Sequence, residues 1–399
     1  MLRVPSFRLL YVSLARLAGG RVLVTSLALA MPLVSQDRSW SLDLKKLPAG
    51  QKIVIDGQID EAAWRSASRL SPLTQVDPVE GARPSHPTKV RICYDQDQIY
   101  LAAECEDDPD LVRGRIMRRD ARLDPDDRVE FWFDTFHDRR FGYWFQVGAG
   151  GSKGDALVGG GNFNKSWDGI WHGRSQITDS GWQVEVAIPF KTLAFKAGGR
   201  SWGFNFRRRR VVSDEESRWA RPLVAYHFFS LTQGGVLRGF DGIRQGVGLD
   251  VVPFFKTSAS RDRRIGKHTS ALGEAGLDAS YRLSPSINLR VTYNTDFAET
   301  EVDERQTNLT RFPLFFPEKR DFFLEDSGLF EFGVPRRRER PREVIPFFSR
   351  RIGRDSGGEA VPIIYGGKLT GRTDDWNFGV LQVYQDEHTD RDGKYSDDR

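Results

Sequence analysis

Residues Asp126 to Asp134 read Asp-Asp-Arg-Val-Glu-Phe-Trp-Phe-Asp, and that order leaves the backbone little choice. Apolar residues recur at a period of two, which is the spacing of a strand and not of a helix. As a strand the stretch puts Val129, Phe131 and Phe133 on one face, expected to be core. Glu130, Trp132 and Asp134 share the other, where two carboxylates flank an indole. An apolar plate with hydrogen-bond acceptors at its edge suits a polyhydroxylated ring. A half-buried strand with a solvated face shows the same alternation.

Similar stretches recur on either side. Val90–Tyr94 and Ile99–Cys105 flank Asp95-Gln96-Asp97-Gln98 and read as a hairpin; Phe141–Val147, Trp182–Phe190 and Trp202–Arg208 read as further strands, the second stopped by Pro189. Upstream, Ile53–Ile55 reads as a short apolar strand that turns at Gly57 into a one-turn helix ending near Trp64. Gly148 to Gly161 reads as a Gly-rich loop; no helix with Lys-Ser/Thr follows it, so it is no phosphate cradle. With 39 Gly, 19 Pro and 12% aromatics, short strands separated by turns describe a β-sandwich. If Tyr94 pairs with Ile99, Cys93 faces Tyr100 and Cys105 faces Thr88. The sulfurs are then too far apart to bridge, so both thiols are expected free and buried.

From Gly246 the pattern changes. Leu249–Phe255 and Leu277–Leu283 are strand-like, and Ile287, Leu289, Val291 and Tyr293 alternate strictly with Asn288, Arg290, Thr292 and Asn294. Tyr365–Arg372 and Trp376–Tyr384 form another such hairpin. Apolar one way and polar the other over about ten residues is the pattern of an outer-membrane barrel wall, and also of a soluble antiparallel sheet. About five such strands fall short of the roughly eight that a closed barrel needs. The sequence is therefore expected to be a C-terminally truncated piece of a longer chain, or its strands an open sheet.

The N-terminus carries Arg3, Arg8, Arg16 and Arg21 ahead of an apolar run from Val22 to Leu33, then small residues. This reads as a secretory leader over residues 1–35, cleaved after Ala30 or Ser35, with an uncleaved anchor as the alternative. The formal charge is only +4, and acids interrupt the surroundings of Arg207–Arg210 and Arg336–Arg338, so no nucleic-acid groove is expected. The six histidines show no metal-ligand spacing.

Ile53–Trp64, the Tyr94-Asp95…Ile99-Tyr100 hairpin, Asp127–Asp134, Trp182–Phe190 and Trp202-Gly-Phe-Asn-Phe206 occur in that order, and together they resemble the family 9 carbohydrate-binding module. The resemblance spans about Lys52 to Gly242. It implies a β-sandwich that holds the end of a sugar chain between two tryptophans, aided by polar groups on one sheet, and that binds structural Ca2+. On these positions Glu130 matches the acidic strand residue, Gln146 the polar residue of the neighbouring strand and Trp219 the second clamp. No aromatic occurs between Met117 and Arg128, where the first clamp belongs; Trp167 and Trp171 are its candidate replacements. Trp132 joins them from the alternation above. Asp124, Asp126 and Asp127, with Asp120, are candidate calcium ligands, although a solvated acidic turn has the same composition. Trp64, Trp182 and Trp202 are expected in the core.

Thr295–Asp303, Asn308–Phe312, Phe315–Glu325 and Phe347–Gly353 resemble a DUF5916-type domain, of unknown function, that follows family 9-like modules in exported bacterial proteins and is regarded as barrel-like and placed in the outer membrane. Glu318, Lys319, Arg320, Asp321 and Glu325 read as an ion-pair network plugging or rimming a barrel. The expectation is an all-β chain: a leader (1–35), a sandwich (52–242) and an incomplete antiparallel, barrel-like sheet (246–399). Its expected partners are a polysaccharide or oligosaccharide of xylan or cellulose type and outer-membrane lipid. Its expected function is non-catalytic glycan binding at the cell surface. Two alternatives stay open: a glycoside hydrolase using Glu130 with Asp134 or Glu185 as acid and base, and a structural outer-membrane protein with a vestigial sugar module.

Overall fold

A computed structural model describes residues 40–159, 162–165, 167–196, 198–245, 248–261, 269–295, 318, 320–330, 347–354, 361–373 and 376–385. The leader segment, Lys319 and the stretch 296–317 lie outside the described residues. The chain is all-β, a two-sheet sandwich followed by an open five-stranded sheet. The first sheet runs in the order Ser41–Asp43, Gly235–Arg238, Ser201–Arg210, Arg128–Asp134, Phe141–Gly148, Lys153–Gly159 and Asn162–Asn164. The second runs His172–Thr178, Gly181–Pro189, Gln98–Glu106, Thr88–Tyr94 and Lys45–Lys46. Two expectations fail locally. Lys153–Gly159, inside the supposed Gly-rich loop, is a strand paired with Phe141–Gly148. Ile53–Ile55 joins no ladder; it is extended chain pressed against the outside of the second sheet.

The period of two sorts the first sheet as expected on its inner side. Val129, Phe131 and Phe133 meet Phe145, Phe204, Phe206 and Trp202, and these pack on Ile92, Leu101, Val184 and Val186 from the second sheet. Trp182 lies in this core, and Trp64 is buried in a second cluster outside the second sheet. The hairpin register pairs Cys93 with Tyr100 and Cys105 with Thr88, leaving both thiols free and buried. Burial pushes each thiol up to about 12, so neither is a ready nucleophile.

Two buried carboxylates fasten this sandwich. Asp107, just past Gln98–Glu106, accepts Arg208 Nη2 at 2.6 Å and Arg210 Nη2 at 2.9 Å, so an acid of one sheet ties down two guanidiniums of the other. Burial alone would raise its pKa; the hydrogen bonds of Arg210 and the charge of Arg208 outweigh that and hold it low. Glu185 has no such cation. It accepts the amides of Asp56 (3.2 Å) and Gly57 (3.0 Å) and the indole N–H of Trp64 (2.7 Å), clamping the Ile53–Trp64 segment onto the sheet. Burial raises it from 4.5 to about 7.

The third sheet, in the order Leu249–Arg261, Thr269–Ser284, Ile287–Thr295, Ile363–Arg372 and Asn377–Gln385, reverses the usual polarity. Most of its apolar side chains face outward: Phe255 is 71% exposed and Tyr293 59%, with Val251, Leu277, Tyr281, Val291, Tyr365, Val380 and Tyr384 also exposed, while Ile363, Leu381 and Val383 pack with Phe322 and Phe323. Its polar face is the buried one, carrying Asn288, Thr292, Lys368, Thr370 and Arg372. The segment around Arg320–Phe330 lies on that face. Glu325 sits 3.3 Å from both Arg282 and Arg290, Lys368 Nζ donates to the Glu325 carbonyl at 2.6 Å, and Thr370 donates to Asp326 at 2.6 Å. Glu318 pairs separately with Arg320 at 2.8 Å.

Asp107→Asn should lower stability by about 3–5 kcal/mol, because it strands two buried guanidiniums; an unchanged urea midpoint would contradict the cross-sheet tie. For Glu185 the folded-state value lies above the ordinary one, so its stabilising balance is intact below about pH 4.5 and lost as pH rises through about 7. Glu185→Gln should flatten that loss, worth up to roughly 3 kcal/mol. Urea midpoints of parent and variant that fall in parallel across this range would refute it.

Candidate functional site

Glu130, Trp132 and Gln146 share the outer face of the first sheet, as alternation requires. That face is not open. Residues 222–234 fold back over it, and Phe228, Leu231 and partly Phe229 close a cluster with Trp132 and Trp144. Trp132 donates its indole N–H to the Phe228 carbonyl at 2.9 Å and is fully buried, so it offers no ring to a ligand.

Glu130 is 3% exposed. Ladder pairing puts Arg207 on one side of it and Gln146 on the other. Its oxygens take Nε of Arg128 at 2.8 Å and Nε of Arg207 in close contact. Burial would raise its pKa, but the two guanidiniums more than offset this and hold it below the usual carboxylate range. Arg207 in turn reaches Glu216 at 3.1 Å and lies 4.4 Å over the Phe228 ring. Gln146 spends its amide on the Ala121 carbonyl at 3.1 Å. The Glu130 carboxylate and the Gln146 amide N–H that the sequence offers to a sugar are thus committed within the protein itself.

The three remaining tryptophans belong to the interior side. Trp219 is 2% exposed, lies edge-on to Trp40 and against Phe204, and donates to Ser71 Oγ at 3.0 Å. Trp171 is buried edge-on to Phe145, and Trp167 is half-buried against Tyr143 and Phe145. Glu130 and Trp219 therefore occupy opposite faces of the sheet, both sealed, and no two of these indoles make a slot. The clamp assembled from Glu130, Trp132, Gln146, Trp167, Trp171 and Trp219 is not formed. The reason is packing: a sheet covered on both sides puts its large aromatics into two cores.

The acidic turn is likewise occupied. Asp126 Oδ2 accepts the amides of Arg115 and Ile116, Asp127 accepts those of Arg113 and Val211, and Asp124 is exposed beside Arg128. One oxygen, Asp126 Oδ1, is buried without a partner. A calcium cage needs about 6–8 oxygens. Among the described residues no group of three His, Cys, Asp or Glu side chains could hold a metal, so these three acids do not fit one as placed.

Nor do the carboxylates pair for hydrolysis. Glu185 lies on the outside of the other sheet. Asp134 lies four residues from Glu130 on one strand, roughly 13 Å at about 3.3 Å per residue, beyond the 6.5–9.5 Å or so that inverting glycosidases use. Asp134 is raised to about 6 by burial, yet it accepts the amides of Asp138 and Arg139 as the anchor of a turn.

Sequence reasoning missed Arg207, Phe228 and Phe229, which decide the state of this face. Arg207 had a signal: it shares the parity of Asn205, opposite to Phe204 and Phe206. The roof had none, because residues 222–234 have no period. Arg207 to Arg210 are each matched to an acid, namely Glu130, Asp107, Asp214 and again Asp107.

Residues 55–218 match the carbohydrate family 9 binding domain-like family, and residues 246–363 match DUF5916, a domain of unknown function. Among solved structures, a family 9 carbohydrate-binding module from Caldicellulosiruptor kristjanssonii in complex with cellotriose is 15% identical, with a TM-score of 0.37 over 50% of this chain and 95% of that one. A family 9 module of the same organism in complex with glucose is also 15% identical, with a TM-score of 0.37 over 50% of this chain and 97% of that one. A search of curated proteins finds no match. The architecture is therefore a carbohydrate family 9 binding domain-like region over residues 55–218, followed by a DUF5916 region over residues 246–363.

Proposed function

We propose that this is an exported, non-catalytic glycan-binding protein of the bacterial outer membrane, its sandwich carried by a sheet that faces lipid. The family 9 match supports the saccharide half of this reading. The observation that carries the membrane half is the inverted third sheet. Water-exposed Phe255, Tyr293, Val251 and Val380 cost free energy unless something apolar covers them, while Lys368 and Thr370 are buried on the opposite side. Apolar out and polar in is the arrangement of a strand wall in a bilayer. No described helix is long and apolar enough to cross a membrane, which leaves strands as the spanning elements of this proposal.

A second reading has its own observation. Because Glu130 and Trp219 are both sealed, the sandwich serves as a cover or partner surface and grips no sugar. The full chain in detergent micelles, screened on immobilised cello- and xylo-oligosaccharides, separates the two: retention supports glycan binding, and silence on every glycan supports the cover. In expressing Gram-negative cells the protein should sediment with the outer membrane and resist alkaline carbonate. Release into the soluble periplasm would end the membrane reading and leave the sugar question standing.

A further inference from the structure

The second sheet ends at the edge strand His172–Thr178, and there a cavity of about 350 Å³ opens. That lies within the 300–1,000 Å³ or so of small-molecule sites. Ile53, Ile55 and Ala187 supply apolar surface, and Gln98 with Tyr100 supplies a polar corner. Three basic side chains converge on it: Lys153 from the first sheet, and His172 and Arg174 from the edge strand. No carboxylate lines it.

The nearby acids are already committed. Glu185, opposite Arg174 in the ladder, is turned to Gly57 and Trp64. Asp155 and Asp168 both answer Arg119, and Asp95 accepts the Tyr100 hydroxyl at 2.8 Å. Among the described residues the side chains of His172 and Arg174 have no hydrogen-bond or ion-pair partner, their backbones being paired in the ladder. Lys153 spends one N–H on the Trp171 carbonyl at 2.8 Å and stands 4.9 Å over that indole. Burial, and then the charge of Arg119, hold its ammonium below the usual lysine range. An unanswered guanidinium and imidazole beside a half-buried ammonium favour an anion, and a guanidinium offers a carboxylate a two-pronged contact.

We infer that this cavity is a binding site for an acidic sugar, a uronate residue whose carboxylate meets Arg174, His172 and Lys153 while its ring lies against Ile53 and Ile55. The inference rests on the glycan-binding reading and narrows it to acidic polysaccharides. The site is on the sheet opposite to Glu130 and needs no movement of the roof.

The test uses the full chain in detergent with three probes: oligogalacturonides, sulfated oligosaccharides and neutral cello-oligosaccharides. Oligogalacturonides should bind most tightly and weaken as salt rises. Arg174→Gln and His172→Gln alter exposed side chains and should each weaken that binding about tenfold without moving the thermal midpoint. Preference for the sulfated probe would reassign the anion and overturn the uronate. Neutral binding with no uronate preference, or uronate binding indifferent to Arg174→Gln, would remove this site while leaving glycan recognition intact. Silence on all three probes and on xylo-oligosaccharides would remove both.

Discussion

Every residue of Arg128–Asp134 is buried, on both faces of the strand. In an ordinary sandwich one face of each sheet meets water, and an alternating sequence suffices. Here Glu130 and Asp134 alternate with aromatics and are buried all the same, so each must be neutralised or hydrogen-bonded in place. For Glu130 that requirement brings Arg128 and Arg207 and, through Arg207, Glu216 and the Phe228 ring. The roof formed by residues 222–234 follows from the same constraint, since Trp132 and Trp144 would otherwise be solvated. A face built this way is a second core. Displacing the roof for a ligand would expose that cluster and break the Trp132–Phe228 hydrogen bond together.

The third sheet obeys the opposite rule with the same periodicity. Its apolar parity is outside and its polar parity is buried beneath Arg320–Phe330, where Glu325 and Asp326 meet Arg282, Arg290 and Thr370. One chain thus contains two β-structures of inverse polarity. In the sandwich, burial of aromatics drives the sheets together. In the third sheet the buried contacts mix ion pairs and hydrogen bonds with a small apolar cluster of Phe322, Phe323 and Ile363, and most of the sheet's apolar side chains face outward. Such an outward face costs free energy wherever it meets water, a cost that the sandwich, with its aromatics inside, avoids.

Much of this was legible. The strand at Arg128–Asp134, the hairpin register that keeps Cys93 and Cys105 apart, and the alternation of Ile287–Thr295 all follow from period two, a local property. Two of the three tryptophan-containing clusters were legible in part, through Trp64, Trp182 and Trp202, and the one around Trp132 and Trp144 was not. What escaped was the state of outward parities. Whether Glu130 meets water depends on residues about ninety positions later, and Phe228 carries no local mark of that role. Lys153–Gly159 escaped because its glycines mask a strand whose pairing is supplied by Phe141–Gly148. Residue chemistry and family resemblance point to a site, and neither reports burial.

The two halves are joined by more than a linker. Arg282, on the polar face of the third sheet, donates to the carbonyls of Lys191 at 2.6 Å and Leu193 at 2.9 Å while also meeting Glu325. Phe195 N–H bonds the Pro285 carbonyl at 3.1 Å, and Arg372 stands between Asp138 and the rings of Phe136 and Phe141. A single guanidinium that satisfies sandwich carbonyls and the acid on the sheet's polar face ties the placement of each to the other. Contacts of this kind remove rotational freedom between the sandwich and the sheet, so their mutual orientation is a property of the fold and not of a flexible tether.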